Sequence, residues 1–230
     1  MKETPSRALR IPAAAWMAAL ALAGCLQVRR ESPDKHLYAL DVERPAGERA
    51  EPVHPLALAV RGLRAPSRFA GRNLVYRTGE EEFAVDYYSE FLVAPAALVS
   101  GETERWLARS NLFRHVFGAA APAPADLALT GEIEELYGDW RGGGAPRAIL
   151  SIRFFLVDER PAWPVVLLAR GYERRSAAEG SDPGSLVAAW NRALAEILAE
   201  LEHDLATLDL GGEEPASDHS AADETTRQSK

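Results

Sequence analysis

The chain of 230 residues carries 34 acidic and 26 basic side chains, which give a formal net charge of −8 at neutral pH. This negative surplus makes nucleic acids and anionic lipid headgroups poor electrostatic partners. Cys25 is the single cysteine, so no disulfide can form within the chain. The length suits one domain or slightly more, and polar segments at both ends limit the foldable part to one core.

The first residues predict an export signal. Lys2, Arg7 and Arg10 precede an uncharged run from Ile11 to Gly24, and a basic start before a short apolar stretch is typical of secretion signals. The run has 14 residues, whereas a helix needs roughly 20 to cross the hydrocarbon core. Residues 1–24 are therefore predicted to be a signal peptide and not a membrane span.

The apolar run ends in Leu22-Ala23-Gly24-Cys25, which resembles the lipobox of bacterial lipoproteins. The resemblance implies cleavage between Gly24 and Cys25, then acylation of Cys25. Three acyl chains would hold the protein permanently on a membrane, since each buried methylene adds about 0.8 kcal/mol. Leu26 stands where an aspartate would resemble an inner-membrane retention signal, so we expect the outer membrane, facing the periplasm. Loss of the leader removes three basic residues and one acidic residue, and the net charge falls by two to −10.

Polar segments flank the predicted domain, which spans residues 56–208. Residues 25–55 are charged and rich in proline, which predicts a lipidated tether with one short strand near residues 36–40. Residues 209–230 are predicted to be a disordered acidic tail, because from Gly211 onward the sequence has no Val, Ile, Leu, Met or aromatic residue. A segment without such side chains cannot offset the entropy lost on ordering.

The first half of the domain is predicted to contain one strand, a two-stranded hairpin, a helix and a further short strand. Residues 56–63 are apolar enough for a strand, and Asn73 to Arg77 and Phe83 to Tyr88 flank a turn at Thr78-Gly79-Glu80-Glu81, which predicts a hairpin. Pro95 suits the first turn of a helix over residues 95–109. Residues 112–116 form a short strand candidate.

The second half shows the clearest sheet pattern. Strands over residues 126–137, 148–158 and 165–174 are separated by short turns, which favours an antiparallel meander. The last helix begins at Ser181 or Asp182 and repeats apolar residues every three or four positions, with Trp190, like Trp106 of the earlier helix, expected in the core. We therefore predict an α+β fold: a two-layer domain whose mostly antiparallel sheet is covered on one face by two helices.

No motif for catalysis, metal or cofactor binding is present. Gly142-Gly143-Gly144 continues into Ala145-Pro146 and not into a phosphate-binding lysine, so we interpret it as a hairpin loop. No serine lies in a nucleophile elbow, and the runs Glu80 to Glu82 and Glu134-Glu135 are expected at solvent-exposed edges. We expect neither a cofactor nor a metal site, because no two histidines have ligand spacing; they are His36, His54, His115, His203 and His219.

One aromatic cluster near the hairpin has two interpretations. It consists of Phe83, Tyr87, Tyr88 and Phe91, with Tyr76 and Arg77 across the hairpin. In the first interpretation, the side chains on one face of the strand are buried, and the cluster packs the hairpin and the core. In the second, the cluster contacts a partner or lipid, because tyrosine and arginine are favoured at interface centres. A groove beside Trp106 and Trp190 that holds a phospholipid acyl chain is a related alternative. The candidate contact residues are Tyr76, Arg77, Tyr87, Tyr88 and Phe91.

Several short strings together resemble the ABC-type transport auxiliary lipoproteins, the partners of Mce-type and paraquat-inducible transport systems. They are the lipobox at Cys25, Leu37-Tyr38-Ala39-Leu40, Leu74-Val75-Tyr76-Arg77, Asp86-Tyr87-Tyr88-Ser89-Glu90-Phe91 and the C-terminal amphipathic helix. The resemblance spans roughly residues 36–208. The sequence departs from the family at Phe91, where a tryptophan is common, and at Asn111, where a glycine is common.

The resemblance implies an accessory subunit that binds an Mce-domain protein and its ABC permease and ATPase, in a system that moves lipids or other hydrophobic compounds. It implies no ATP binding and no catalysis by this chain. The alternative is an outer-membrane assembly or lipid-binding lipoprotein of another pathway, such as one that inserts lipopolysaccharide machinery. A tethered periplasmic enzyme is a third, weaker class. Free sheet edges allow pairing between copies, and the sequence leaves homo-oligomer formation open.

Overall fold

A computed structural model describes residues 34–45, 47, 51–121 and 123–210. The predicted signal peptide, Cys25 and the tail from Gly211 lie outside the described residues. No described helix is long and apolar enough to span a membrane.

The described ranges contain eight strands and two helices. The strands are β1 (His36–Tyr38), β2 (His54–Arg64), β3 (Asn73–Arg77), β4 (Phe83–Phe91), β5 (Phe113–Phe117), β6 (Leu127–Asp139), β7 (Arg147–Asp158) and β8 (Val165–Ala177). The helices are α1 (Pro95–Ser110) and α2 (Pro183–Thr207), and a 3-10 turn spans Ser67–Phe69.

These strands form one mixed sheet centred on β6. Along one side of β6, β7 and then β8 pair antiparallel, which confirms the predicted meander. On its other side, the first half of β6 pairs with β2, and its last two residues pair with β3, both parallel. The sheet therefore divides into two arms, β2-β5 and β3-β4-β1. The β3-β4 hairpin is confirmed, and most paired residues lie in antiparallel ladders.

The inward face of β6 follows the predicted alternation until a bulge interrupts it. Leu127, Leu129 and Ile133 are fully buried. Between Ile133 and Glu135 the register shifts by one residue against β7, so that the next inward side chain is Leu136. Gly131 is required on this face, because a Cβ there would lie 2.7 Å from the carbonyl oxygen of Arg153.

Both helices pack on one face of the sheet, α1 against β2 and β5 and α2 against β7 and β8. At the start of α2, the Asp182 carboxylate accepts a hydrogen bond from the Ser185 amide at 2.9 Å, which satisfies an amide that the helix leaves free. Trp106 and Trp190 are 3% and 0% exposed, which confirms them as core residues. The α+β two-layer fold with two helices on a mostly antiparallel sheet is thus confirmed.

Part of the predicted tether is folded onto the helices. We call residues 40–44 the strap. Its Val42 amide donates to Glu102 Oε2 of α1 at 3.0 Å, and its Arg44 guanidinium donates to both carboxylate oxygens of Glu202 in α2, at 2.8 and 2.9 Å. Leu40 and Val42 are buried. The charged residue Arg44, expected in a tether, therefore has a partner in the folded domain.

Candidate docking surface

The β3-β4 hairpin contains a wide bulge that changes which side chains of β4 face outward. Near the turn, Val75 pairs with Val85, but two residues earlier on β3, Asn73 pairs with Glu90. Between these two pairs, four residues of β4 thus oppose one residue of β3, Leu74. The four residues, 86–89, have no paired partner in β3, and two of them are Tyr87 and Tyr88.

Asp86 holds this bulge in place. Its Oδ1 accepts hydrogen bonds from the amides of Tyr88 at 2.8 Å and Ser89 at 2.9 Å, and its Oδ2 accepts one from the Tyr76 hydroxyl at 2.6 Å. The Asn73 side chain donates to the Asp86 carbonyl at 2.8 Å. Partial burial opposes ionisation of Asp86, yet the donors to its carboxylate, Tyr76, Tyr88 and Ser89, hold the pKa of the carboxyl below the usual range. Burial and the same hydrogen bond raise the pKa of Tyr76.

The bulge presents an exposed apolar surface along β4. Val85 and Tyr87 are 64% and 69% exposed, and the rings of Tyr87 and Tyr88 meet edge to face at 5.1 Å between centroids. We call this surface the β4 ridge, and its members are Leu37, Phe83, Val85, Tyr87, Tyr88 and Leu92, all of them exposed.

The Phe83 end of the ridge lies on the sheet face that the helices leave open. The Phe83 ring meets Tyr137 edge to face at 5.6 Å between centroids. Successive residues of a strand point to opposite faces, and Gly138, next to Tyr137, lies against Leu186 of α2. Tyr137 therefore points away from the helices, where Phe69 of the 3-10 turn stacks on it.

The charges at the two ends of the ridge differ. Glu81 and Glu82 are exposed at the turn end. At the other end, Lys35 and Arg72 pair with Glu90 at 2.9 and 3.2 Å; the Lys35 hydrogen bond is the main cause that lowers the pKa of the Glu90 carboxyl. The turn end thus carries two exposed carboxylates, whereas the other end carries two cations beside one carboxylate.

The five predicted contact residues separate into three roles. Tyr87 and Tyr88 reach the surface together. Tyr76 is half-buried between Asp86 and Trp140, and Arg77 donates to the carbonyls of Gly79 and Glu80, so both support the hairpin from within. Phe91 is only 1% exposed and packs on Trp190 at 5.7 Å between centroids, so it lies in the core, as the packing interpretation expects.

The sequence prediction also missed ridge members. Leu37, Val85 and Leu92 are exposed but were not among the candidate residues. The alternation of Phe83, Val85 and Tyr87 was the available signal, because residues two apart share a face of a strand. Which face is free of other elements depends on distant parts of the chain.

Two shallow cavities lie elsewhere. One, of about 250 Å³, lies beside Arg44, Trp106 and Glu202, and the other, of about 320 Å³, lies beside His54 and Leu208. The first cavity is lined by charged and apolar side chains together, whereas apolar residues form most of the lining of the second, and Trp190 lines neither. Within the described ranges, no three His, Cys, Asp or Glu side chains are grouped so as to hold a metal ion.

Replacing Asp86 by alanine is expected to lower the free energy of unfolding by about 2 kcal/mol, because two amides and one hydroxyl would lose their shared acceptor. Chemical denaturation measures this loss. Glu81→Ala, an exposed carboxylate in the same hairpin, is the matched control and should change stability by less than about 0.5 kcal/mol. Equal stability of both variants would mean that Asp86 does not hold the bulge.

The bulge should also respond to acid. Because the folded-state pKa of Asp86 is lowered, its contribution is complete above the unfolded-state pKa, near 4, and is lost as the pH falls through the lower folded-state value. We expect the difference in unfolding free energy between wild type and Asp86→Ala to shrink across this acidic window. A difference that stays constant would contradict the assignment.

The fold and the ridge define a two-layer α+β domain with an exposed aromatic strand. By structure it is similar to protein XCC0632 from Xanthomonas campestris, of family DUF330, with a TM-score of 0.64, 18% identity and coverage of 73% of this chain and 92% of that one. A second similar structure, an uncharacterized protein, has a TM-score of 0.59, 14% identity and coverage of 75% and 99%. No family model and no curated protein sequence matches the chain. At 18% and 14% sequence identity, these similarities show a shared fold and nothing about function.

Proposed function

We propose that this protein is a lipoprotein, anchored to the outer membrane through Cys25, that serves as accessory subunit of an ABC-type, Mce-like transport system for lipids or hydrophobic compounds. Its contribution is protein binding and not catalysis. The partners are an Mce-domain protein and the permease and ATPase of that system.

The β4 ridge is the observation that carries this proposal. The string Asp86 to Phe91, which resembles the transport auxiliary lipoproteins, is the segment that forms the bulge and exposes Tyr87 and Tyr88. Exposed tyrosines in a group supply large contact area with little loss of side-chain entropy, which favours protein interfaces. The likeness to XCC0632 concerns the fold and identifies no partner.

The position of the proposed anchor supports the same role. Lys35 is ten residues from Cys25, and an extended chain spans at most about 35 Å over that length. The Lys35 ammonium lies 5.5 Å from the Tyr87 ring centroid. An acylated Cys25 would thus keep the ridge within a few nanometres of the membrane. A transport conduit that reaches the outer membrane would end in the same region.

The test is a crosslinked pull-down of the acylated protein from its native envelope, with partners identified by mass spectrometry. Cys25→Ala is the control, since it removes the anchor outside the described domain. We expect an Mce-domain protein or its permease with wild type and much less with Cys25→Ala. Recovery of outer-membrane assembly factors alone would favour the alternative lipoprotein function and contradict this proposal.

A further inference from the structure

Half of the backbone edge of β4 is open. On its inner side β4 pairs with β3, whereas on its outer side β1 pairs only with Ser89, Glu90 and Phe91. Within the described ranges, no strand pairs with the outer edge of residues 83–88. Peptide groups at such an edge are free to bond with another extended chain.

The first three residues of this half-edge, residues 83–85, carry no protecting side chain. Phe83, Val85 and Tyr87 are exposed, and the one charged residue among residues 83–87 is Asp86, whose carboxylate is bound by Tyr76 and two amides. Natural edge strands are usually guarded by charges, proline or bulges. The bulge at residues 86–89 occupies one end of this half-edge, whereas residues 83–85 carry none of the three guards.

The other long edge of the sheet, β8, carries such guards. Arg170, Glu173, Arg174 and Arg175 occupy its second half. Its apolar first half follows Pro164, and a register shift against β7 lies between the pairs Leu156–Leu168 and Val157–Val166. Residues 83–85 of β4 therefore differ from β8 in having neither a charged residue nor an adjacent proline.

We propose that the open half of β4 pairs with an extended segment of the transport partner, by addition of a strand to the sheet. Main-chain hydrogen bonds would supply affinity, and alternate apolar residues of the segment would pack on Phe83, Val85 and Tyr87. Exposed Glu81 and Glu82 at the turn select a segment with lysine or arginine at that end. The identity of the partner rests on the proposed function; the mode of binding does not.

A photo-crosslinking residue at Val85, in the full-length acylated protein within its native envelope, tests the contact. The same residue at Val166 is the matched control, since both valines are exposed strand residues, at 64% and 58%. We expect Val85 to give at least about tenfold more crosslink than Val166, to one peptide of an Mce-domain protein or permease. Crosslinks only to phospholipid, to a second copy, to residues before Asp34, or equal to those at Val166 would overturn the proposal.

Hydrogen exchange tests strand addition itself. In the isolated complex, outer-edge amides between Phe83 and Tyr87 should exchange at least about tenfold more slowly than in the free protein. Val85→Lys should reduce capture at least about tenfold, and Val166→Lys should leave it unchanged. Capture of an Mce-domain protein with unchanged exchange would reject strand addition but keep the proposed function. Protected amides with a partner outside any transport system would keep strand addition and reject the proposed function.

Discussion

Trp190→Ala is expected to lower the free energy of unfolding by about 3 to 5 kcal/mol, a large part of the stability of a typical domain. The Trp190 side chain is fully buried, packs against Phe91 and donates its indole N–H to the Ile149 carbonyl at 3.2 Å. Its removal leaves a cavity between α2 and the sheet and takes one hydrogen bond from the Ile149 carbonyl. Equilibrium unfolding in urea measures the loss.

The control for this variant is Trp163→Ala. Trp163 is 84% exposed in the turn before β8, so its truncation should change stability by no more than about 0.5 kcal/mol. Similar losses for the two variants would contradict the assigned packing of α2 on the sheet.

Arg44→Ala is the second large effect, with an expected loss of about 3 kcal/mol. The side chains of Arg44 and Glu202 are only 12% and 10% exposed, and removal of one partner from a largely buried ion pair is strongly destabilising, because the Glu202 carboxylate would stay buried without the Arg44 guanidinium. The variant should also release the strap, which thermal unfolding combined with hydrogen exchange at the Val42 amide would detect.

Arg61→Ala is the comparison for Arg44→Ala. Arg61 and Glu159 form an ion pair of similar length, but their side chains are 53% and 33% exposed. Such a pair contributes less than about 1 kcal/mol. If Arg44→Ala were as mild as Arg61→Ala, the strap would not be a stabilising part of the domain.

The meander and the last helix could be predicted because their causes are local. Alternating residues of β6 and β7, the glycine turn at Gly142 and the cap at Asp182 each specify structure within a few residues. The parallel pairings of β2 with β5 and β6, of β3 with β6 and of β1 with β4 join distant segments. The residues near each of those strands in the sequence do not specify which distant strand it will pair with.

The candidate surface could be predicted only in part for the same reason. The cluster of aromatic residues drew attention to Tyr87 and Tyr88, but the bulge at Asp86 separates them from Phe91, which turns to the core. Phe91 packs on Trp190, so the residue that replaces a common tryptophan of the resembling family occupies a core position. The structural role of Arg77 could not be predicted from the cluster either. Its guanidinium binds the turn, so Arg77→Ala would disturb the hairpin as well as any partner contact.

The double variant Tyr87→Ser, Tyr88→Ser therefore tests the central claim most directly, in the crosslinked pull-down from the native envelope. Trp163→Ser, at an exposed aromatic residue in the turn before β8, is the control, and the melting temperature of each variant is measured alongside. The account predicts at least about tenfold loss of the transport partner with the double variant, none with the control, and melting temperatures close to wild type. Undiminished recovery of the partner with the double variant would contradict it.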